Sequence, residues 1–342
     1  MRILITGGCG FVGSNLAIFL KKKLKNSKIL SLDNLYRKGS KINLKRLNKH
    51  KIKNFRLNID NYKGVKKIPK VDLVLDCCAE PAIEISRKDP DRVINTNFIG
   101  THNILKKCIK DNAKIIFLSS SRVYSIPHLR KIVNKINIRK PLNIRKKIHE
   151  NFSTEGIKSI YGLTKLSSEE LIKEINYVAK VKYIINRLGV ITGPWQFGKQ
   201  DQGFVSMWVA KHFYKKKISY IGFGGHGNQI RDIIHIDDVC NIIFKQIKLI
   251  NKINNQIFNI GGGLKNALSL NELTDVCRHL TNNKIYLSKI KKTSLYDVPY
   301  FVTNNSKIKK YYNWQPKYSK RKILSDIFNW IEKNKQLKGY FL

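Results

Sequence analysis

The feature that most restricts the fold of this chain is an apolar strand that runs directly into a glycine-rich turn at the amino terminus. Residues 2–6 carry the apolar run expected of a strand buried on both faces. Gly7, Gly10 and Gly13 follow, and Gly8, Gly10 and Gly13 also satisfy the pattern Gly-x-Gly-x-x-Gly. Glycine at these places permits a tight turn, lets the backbone approach a pyrophosphate and lets the next helix pack closely. The pattern therefore predicts a dinucleotide site.

The elements after the turn agree with this prediction. A helix is expected to begin near Phe11, where its N–H groups and its dipole would meet the phosphates. Its predicted buried face consists of Val12, Leu16, Leu20 and Leu24. A second strand, residues 28–32, ends at Asp33, a position at which a carboxylate accepts ribose hydroxyls and repels a 2′-phosphate. Asp33 thus favours NAD over NADP, although Arg37 and Lys38 lie nearby and weaken this preference.

Strands and helices continue to alternate along the first half of the chain. The pattern predicts a strand over residues 71–75, a helix over 97–109 and a strand over 114–118 that ends at three serines. This alternation favours an α/β fold with a Rossmann-type doubly wound parallel sheet, in which ligands bind at the carboxyl ends of the strands. Those ends carry Gly7, Asp33, Ala79 and Ser120.

A tyrosine and a lysine lie four residues apart further along the chain, at Tyr161 and Lys165. If residues 160–177 form a helix, both side chains lie on one face. A nearby ammonium favours the charged phenolate, so Tyr161 is suited to act as a general base while NAD takes a hydride. Lys165 could also bond the nicotinamide ribose, and Ser120 could hold a substrate hydroxyl. An isolated Tyr-x-x-x-Lys is usually surface decoration, but the glycine turn makes the catalytic interpretation the stronger one.

The charge of the chain is strongly positive, with 66 Lys and Arg against 23 Asp and Glu and a net charge of +43. Such a charge attracts polyanions. The lysines are nevertheless dispersed in short runs, without a basic tail or a nucleic-acid-binding motif. Abundant Asn and Ile indicate a general compositional bias, so we predict no specific nucleic-acid partner.

The six cysteines are scattered, without Cys-x-x-Cys pairs or zinc-ligand spacing. They predict reduced thiols in a cytoplasmic protein and no metal site. The amino terminus lacks the pattern of a signal peptide, and no apolar stretch approaches the ~20 residues of a membrane helix. We therefore expect no membrane association.

The chain resembles the extended short-chain dehydrogenase/reductases of the nucleotide-sugar epimerase/dehydratase kind, from Met1 to about Trp330. The matching motifs are Thr6–Gly13, Asn97–Thr101, Ser120 four residues before Tyr124, and Arg231–Asp238. The resemblance implies tightly held NAD, with Ser120, Tyr161 and Lys165 as the catalytic residues. It also implies a cofactor site formed by Gly7, Gly10, Phe11, Val12, Gly13, Asp33, Asn34, Arg37, Asn58, Ile59, Ala79, Asn97, Tyr161 and Lys165.

Within this family the sequence favours an epimerase. Dehydratases carry an acid directly after the catalytic Thr, whereas Ser121 and Arg122 stand there in this chain. The stretches 196–205 and 33–40 are similar to those of the CDP-paratose 2-epimerase subgroup, which oxidises and re-reduces C2 of the sugar. The resemblance implies substrate contacts from Gln196, Gln202, Gly203 and Arg231. The alternatives are a UDP-hexose 4-epimerase and a non-catalytic sensor of NAD or nucleotide sugars.

The resemblance also implies two domains and a homodimer or higher homo-oligomer. The NAD domain is predicted over residues 1–185, with 228–262 returning to it, and the nucleotide-sugar domain over 186–227 and 263–342. Dimers of this family form through helices that would lie near residues 98–111 and 160–177. Several positions depart from the usual family pattern: Asp76, Cys77 and Cys78, Glu80 in place of Gln, Asn58, Ser125 and Ser294.

Overall fold

The computed structural model describes residues 1–133, 145–199 and 202–341. Their strands are β1 (Arg2–Thr6), β2 (Lys28–Leu32), β3 (Lys53–Phe55), β4 (Leu73–Asp76), β5 (Lys114–Ser120), β6 (Tyr183–Leu188), β7 (Val190–Thr192), β8 (Ile218–Ile221), β9 (Ile230–His235), β10 (Gln256–Ile260), β11 (Ala267–Ser269), β12 (Leu287–Ile290) and β13 (Tyr300–Phe301). Their α-helices are α1 (Phe11–Lys23), α2 (Ser40–Lys49), α3 (Tyr62–Val65), α4 (Ile83–Lys88), α5 (Pro90–Ile94), α6 (Gly100–Asp111), α7 (Ile126–Lys131), α8 (Ile160–Ala179), α9 (Phe204–Phe213), α10 (Ile236–Leu249), α11 (Leu270–Thr281), α12 (Ser306–Tyr312) and α13 (Lys320–Lys333).

The chain forms two compact units, each assembled from three separate stretches. Unit 1 comprises Met1–Val123, Ser159–Arg187 and Cys240–Phe258. Unit 2 comprises Tyr124–Lys158, Leu188–Val239 and Asn259–Leu342.

A seven-stranded sheet in the order β10-β6-β5-β4-β1-β2-β3 forms the centre of unit 1. β1 pairs in parallel with both β2 and β4, while β3 and β5 extend the parallel pairing outward. Ile3, Leu4 and Ile5 of β1 are fully buried, as expected for the middle of such a sheet. The strand order reverses between β1 and β4, and ligands of doubly wound sheets bind at such a reversal. The predicted Rossmann-type fold is confirmed.

The helices of unit 1 follow the sequence predictions with small shifts. α1 begins at Phe11 as predicted, and Gly10 immediately precedes it in extended conformation. The helix predicted over 97–109 is a π-turn at Asn95–Ile99 that continues into α6. α8 covers the predicted catalytic helix, and the hydroxyl of Ser159 caps it by accepting the Gly162 N–H at 3.2 Å.

Unit 2 contains small sheets and a core rich in aromatic residues. β11, β9 and β13 pair in that order, β7 also pairs with β9, and β12 pairs with β8. Trp208 of α9 is 3% exposed, stacks on Tyr220 with ring centroids 5.8 Å apart, and donates to Thr274. These contacts make Trp208 a core residue of this unit.

Candidate active site

The glycine turn after β1 has the tight geometry that its sequence predicts. The Gly10 N–H donates to the Gly7 carbonyl at 2.9 Å, and Gly7 has a left-handed φ of +59°. A Cβ at Gly13 would lie 2.2 Å from the Gly7 oxygen and 2.8 Å from Cα of Gly8. The turn and the start of α1 are therefore as close together as a pyrophosphate cradle requires.

Asp33 lies beside this turn, at the carboxyl end of β2. One carboxylate oxygen accepts the Cys9 N–H at 3.0 Å and the other accepts the Leu35 N–H at 2.8 Å. Burial raises the pKa of Asp33, while these hydrogen bonds and the Arg37 charge act in the opposite direction. The carboxylate is thus fixed next to the backbone of the glycine turn, where an adenosine ribose is expected.

Hydrogen bonds of the Thr6 hydroxyl connect the carboxyl ends of β1 and β4. Thr6 donates to Asp76 at 2.5 Å and accepts the N–H groups of Cys77 and Cys78 at 3.1 and 3.0 Å. A Cβ at Gly7 would lie 3.0 Å from Cα of Cys78, so the two strand ends approach closely. Burial raises the pKa of both thiols well above the usual range, which keeps them neutral.

Asn97 connects the segment after β4 to α8, the predicted catalytic helix. Its side chain accepts the Glu80 N–H at 2.8 Å and donates to the Glu80 carbonyl at 3.3 Å and to Thr164 Oγ1 at 3.1 Å. Asn34 and Asn58 are also brought together, with a hydrogen bond of 2.9 Å between their side chains. Asn34 and Asn58 thus meet beyond the ends of β2 and β3, and Asn97 holds the segment that follows β4.

Lys165 extends from α8 toward the segment that follows β4. Its side chain is 1% exposed, its Nζ lies 3.4 Å from the Cys78 carbonyl, and the ammonium is 4.4 Å from the centre of the Phe117 ring. The ammonium forms no ion pair within the described part of the chain. Tyr161, one turn earlier, is half-buried, and its phenol makes no hydrogen bond to any described residue. The positive charge is therefore held beside the segment that follows β4, and the phenol is available to a ligand.

Ser120 lies at the end of β5, on an element that contacts the same helix. α8 packs against β5 and against the 3-10 turn Ser121–Val123. The Ser120 hydroxyl accepts the Arg122 N–H at 3.1 Å and keeps its own hydrogen as a donor. Ser120, Tyr161 and Lys165 thus all belong to unit 1 and to elements that pack together.

Sequence reasoning missed a buried charged pair behind the catalytic helix. Glu169 is fully buried on α8 and accepts from Arg187 Nη2 at 2.7 Å and from Ser119 Oγ at 2.5 Å. Its position four residues after Lys165 places both side chains on one helix face. The spacing of Lys165 and Glu169 could have indicated from the sequence that Glu169 faces the same side of the helix. Arg187 could be identified as the partner of Glu169 only once β5 and β6 were known to be neighbours.

The predicted substrate residues all lie in unit 2. Arg231 donates to Asp297 at 2.9 Å and to the carbonyls of Ile230 and Val298 at 2.8 and 2.5 Å. The Gln196 oxygen accepts from Thr192 at 2.8 Å, so its amide supports the local loop.

The loop that carries the other two predicted substrate residues is partly described. Lys199 and Gln202 form an antiparallel bridge, and Gly203 precedes α9 with a left-handed φ of +76°. Residues 200 and 201 of this predicted stretch lie outside the described residues.

The last two features to consider are possible metal ligands and possible membrane-spanning helices. Within residues 1–133, 145–199 and 202–341, no group of three His, Cys, Asp or Glu side chains is placed to hold a metal ion. Over the same ranges, no helix combines the length and apolar character needed to cross a bilayer.

Similarity to known proteins agrees with this geometry. Residues 3–261 match the model of the NAD dependent epimerase/dehydratase family. The chain belongs to this family. It is 28% identical over 340 residues to CDP-paratose 2-epimerase of Salmonella typhi, covering 96% of this chain and 99% of that protein. It is also 28% identical over 340 residues to a putative UDP-glucose 4-epimerase of Methanocaldococcus jannaschii, covering 97% and 99%.

Solved structures share the fold over nearly the whole chain. UDP-glucose 4-epimerase of Thermotoga maritima, solved with UDP-glucose, has a TM-score of 0.83 at 24% identity and covers 98% of this chain and 100% of its own. UDP-glucuronic acid 4-epimerase of Bacillus cereus, solved with UDP-glucuronic acid and NAD, has a TM-score of 0.80 at 22% identity, covering 97% and 99%. The predicted family, the NAD cofactor and the class of NAD-dependent nucleotide-sugar epimerases are therefore confirmed.

Proposed function

We propose that this protein interconverts two epimers of a CDP-linked sugar at C2 and keeps NAD bound throughout turnover. The observation that carries the proposal is the placement of Tyr161 and Lys165. Lys165 is buried against the Cys78 carbonyl, beyond the carboxyl end of β4. Tyr161 lies one helical turn away, and its phenol makes no hydrogen bond to any described residue. This is the arrangement that a paired proton and hydride transfer requires.

The cofactor fits the residues that are present. The close approach at Gly13 lets α1 begin directly against the glycine turn, so that the N–H groups at the start of the helix can meet a pyrophosphate, and the fixed carboxylate of Asp33 is suited to ribose hydroxyls. When bound, NAD supplies the acceptor and the donor of the hydride at the sugar carbon. We assign the remaining contacts to the other cofactor residues named from the sequence, including Ala79, Asn97 and Lys165.

The protein groups handle the proton. Tyr161 takes the proton from the hydroxyl of the reacting carbon and returns it when the ketone is reduced from the opposite face. Lys165 is buried one helical turn from Tyr161 and is assigned to the nicotinamide ribose, and Ser120 donates a hydrogen bond to the substrate oxygen. Epimerisation needs no additional acid, which agrees with Ser121 and Arg122 at the positions where dehydratases carry one.

We assign the nucleotide sugar to residues of unit 2, among them Arg231, which lies in the 228–262 stretch that the sequence assigned to the NAD domain. Arg231 is held by Asp297 and two carbonyls with its side chain 13% exposed, so its guanidinium is positioned in advance for a diphosphate. Gln196, Gln202 and Gly203 are also proposed to contact the substrate, with Gln196 held in its loop by the hydrogen bond from Thr192.

We also propose a cytoplasmic homodimer. All six cysteines are free, as expected in a reducing compartment. Exposed apolar side chains on α6 and α8 support pairing through these helices: Ile109, Leu163, Tyr177 and Val178.

The substrate is tested by incubating the purified protein with CDP-paratose and, separately, with UDP-glucose and UDP-glucuronate, and recording proton NMR spectra. Conversion of CDP-paratose at C2 alone is expected. Conversion of a UDP-hexose at C4 instead would replace the proposed substrate but keep the chemistry. No conversion of any of them, with NAD released when the protein is denatured, would favour the non-catalytic sensor.

A further inference from the structure

The stretch that carries most of the proposed substrate residues closes on itself before α9. We call its described residues, 195–199 and 202–203, the substrate loop. A Cβ at Gly198 would lie 2.1 Å from the Gly203 carbonyl oxygen, and the Lys199 N–H donates to the Gln202 carbonyl at 2.7 Å. The chain on the two sides of the loop is therefore in close contact, and a shift of one side would move the other.

The first residue of this loop has a backbone conformation that its side chain disfavours. Trp195 has a left-handed φ of +71°, a region that bulky residues adopt only where the surrounding structure holds them. Its ring packs on the ring of Trp330 in α13, with centroids 5.4 Å apart. Trp330 is 7% exposed and offers a fixed surface to the loop. The conformation of the loop therefore depends on side chains outside it.

Phe197, further along the loop, is held by the same helix and by the segment that follows it. Its ring centroid lies 5.7 Å from that of Trp330, 5.4 Å from that of Tyr340 and 5.5 Å from that of Phe341. Phe341 also packs on Trp330 at 5.2 Å and is itself 4% exposed. Aromatic rings at these separations attract one another in addition to the area that they bury. Three rings from one region of unit 2 thus hold Phe197 in place.

The segment after α13 turns back toward the loop. Asn334 follows the last residue of α13, and its side chain donates to the Trp330 carbonyl at 2.7 Å. A 3-10 helix over Lys335–Tyr340 comes next, and the Phe341 N–H donates to the Lys338 carbonyl at 3.0 Å. None of the six residues in this 3-10 helix is buried. The buried ring of Phe341 therefore anchors the segment against the loop.

We propose that Tyr340 and Phe341 are positioning residues for substrate binding, which act by holding Phe197 and hence the substrate loop. The loop is strained at Trp195, so loss of the rings that hold it would allow other conformations. A nucleotide sugar that needs the ordered loop would then bind only a fraction of the molecules, which weakens its apparent affinity. The inference rests on the proposed role of this loop in binding the nucleotide sugar.

The same coupling acts in the opposite direction. A ligand that binds the ordered loop must also stabilise the segment that holds the loop, because coupling between two sites is reciprocal. Saturating CDP-paratose should therefore slow hydrogen exchange of the Phe341 amide as well as exchange of the loop amides. Exchange in β8 should not change.

The first part of the test compares kinetic constants of single variants of the whole chain. F341A is expected to raise KM for CDP-paratose by about tenfold, the effect of losing about 1.4 kcal/mol of ring contacts that hold the loop. Its kcat and its NAD content should change little. F341L keeps an apolar side chain of similar volume and should recover most of the loss. F328A is the matched control, because Phe328 lies in the same core but packs on Phe213, 5.8 Å away, and it should leave KM unchanged.

Hydrogen exchange separates positioning of the loop from a general loss of stability. In F341A the amides of Lys199 and Gln202 should exchange faster, while those of β8 should not. Unchanged KM or unchanged exchange in the loop would overturn the proposal, as would an equal rise of KM in F328A. If F341A does not fold, Y340A decides by the same criteria, since Tyr340 is only half-buried.

Failure of the proposed function would be recognised separately. If the unmodified protein does not convert CDP-paratose, the substrate assignment is wrong. The exchange rates of the loop amides in F341A and F328A need no substrate, and they decide whether the two aromatic residues position the loop.

Discussion

Arg187 and Glu169 form a buried ion pair, in which Nη2 and Oε2 are 2.7 Å apart and neither side chain is more than 5% exposed. The same carboxylate accepts the hydroxyl of Ser119, the residue immediately before Ser120. The pair therefore connects α8, the proposed catalytic helix, to β6 and to the end of β5. We infer that it fixes the position of α8 and hence of Tyr161 and Lys165.

Replacing Glu169 with Gln should strongly destabilise the protein. Arg187 would remain buried without a countercharge, which costs about 3–5 kcal/mol in the free energy of unfolding. Urea unfolding followed by fluorescence measures this change. The control is E170Q on the same helix, because Glu170 pairs with Lys173 at the surface and is 58% exposed. E170Q should cost no more than about 0.5 kcal/mol. Equal effects of the two variants would contradict the anchoring role.

Tyr161→Phe should abolish turnover and leave NAD bound. The variant removes the phenol that exchanges the proton but keeps the ring, so the glycine turn and Asp33 are unaffected. Tyr286→Phe is the matched control, since Tyr286 is 72% exposed and lies outside α8. Measured rates and NAD content together distinguish loss of chemistry from loss of cofactor. Turnover in Y161F above about 1% of the unmodified rate would contradict the assignment of the base, since general-base catalysis contributes about 10²-fold or more.

Gly13→Ala should reduce the NAD content of the purified protein. The added Cβ would lie 2.2 Å from the Gly7 carbonyl oxygen, so the turn must shift away from the start of α1. Gly339→Ala serves as the control because a Cβ there meets nothing within 4 Å. Full NAD content in G13A would show that the close approach at this turn is not needed for cofactor binding.

Acid should destabilise the protein through His212. Burial is the main cause of its lowered pKa, with Arg278 adding to this effect and the Trp208 carbonyl opposing it. Below the ordinary pKa of about 6.5, the unfolded chain binds a proton that the folded chain does not, so the free energy of unfolding falls as the pH is lowered. The fall is at most about 1.4 kcal/mol per pH unit for one group. H212N should flatten the dependence between pH 6.5 and 5, as thermal unfolding at each pH would show, and an unchanged dependence would contradict the role of His212.

The features that could be predicted from the sequence are those that depend on residues close together along the chain. The strand, glycine turn and helix at 2–23 and the spacing of Tyr161 and Lys165 are local patterns, and all lie in the structure where they were expected. Contacts between distant segments could not be predicted in the same way. The Glu169–Arg187 pair depends on the order of the strands, and the Arg37–Glu80 pair spans 43 residues. The internal hydrogen bonds of Gln196 were also not foreseen, because sequence similarity does not show which local contacts a side chain makes.

The most direct test of the central claim is to follow the hydrogen on the reacting carbon. CDP-paratose labelled with deuterium at C2 is incubated with the protein in ordinary water without added NAD, and the product is examined by NMR. The proposal predicts inversion at C2 with the deuterium retained on that carbon, because the same hydride leaves and returns. Inversion with replacement of the deuterium by solvent hydrogen would contradict internal hydride transfer and would require a different mechanism.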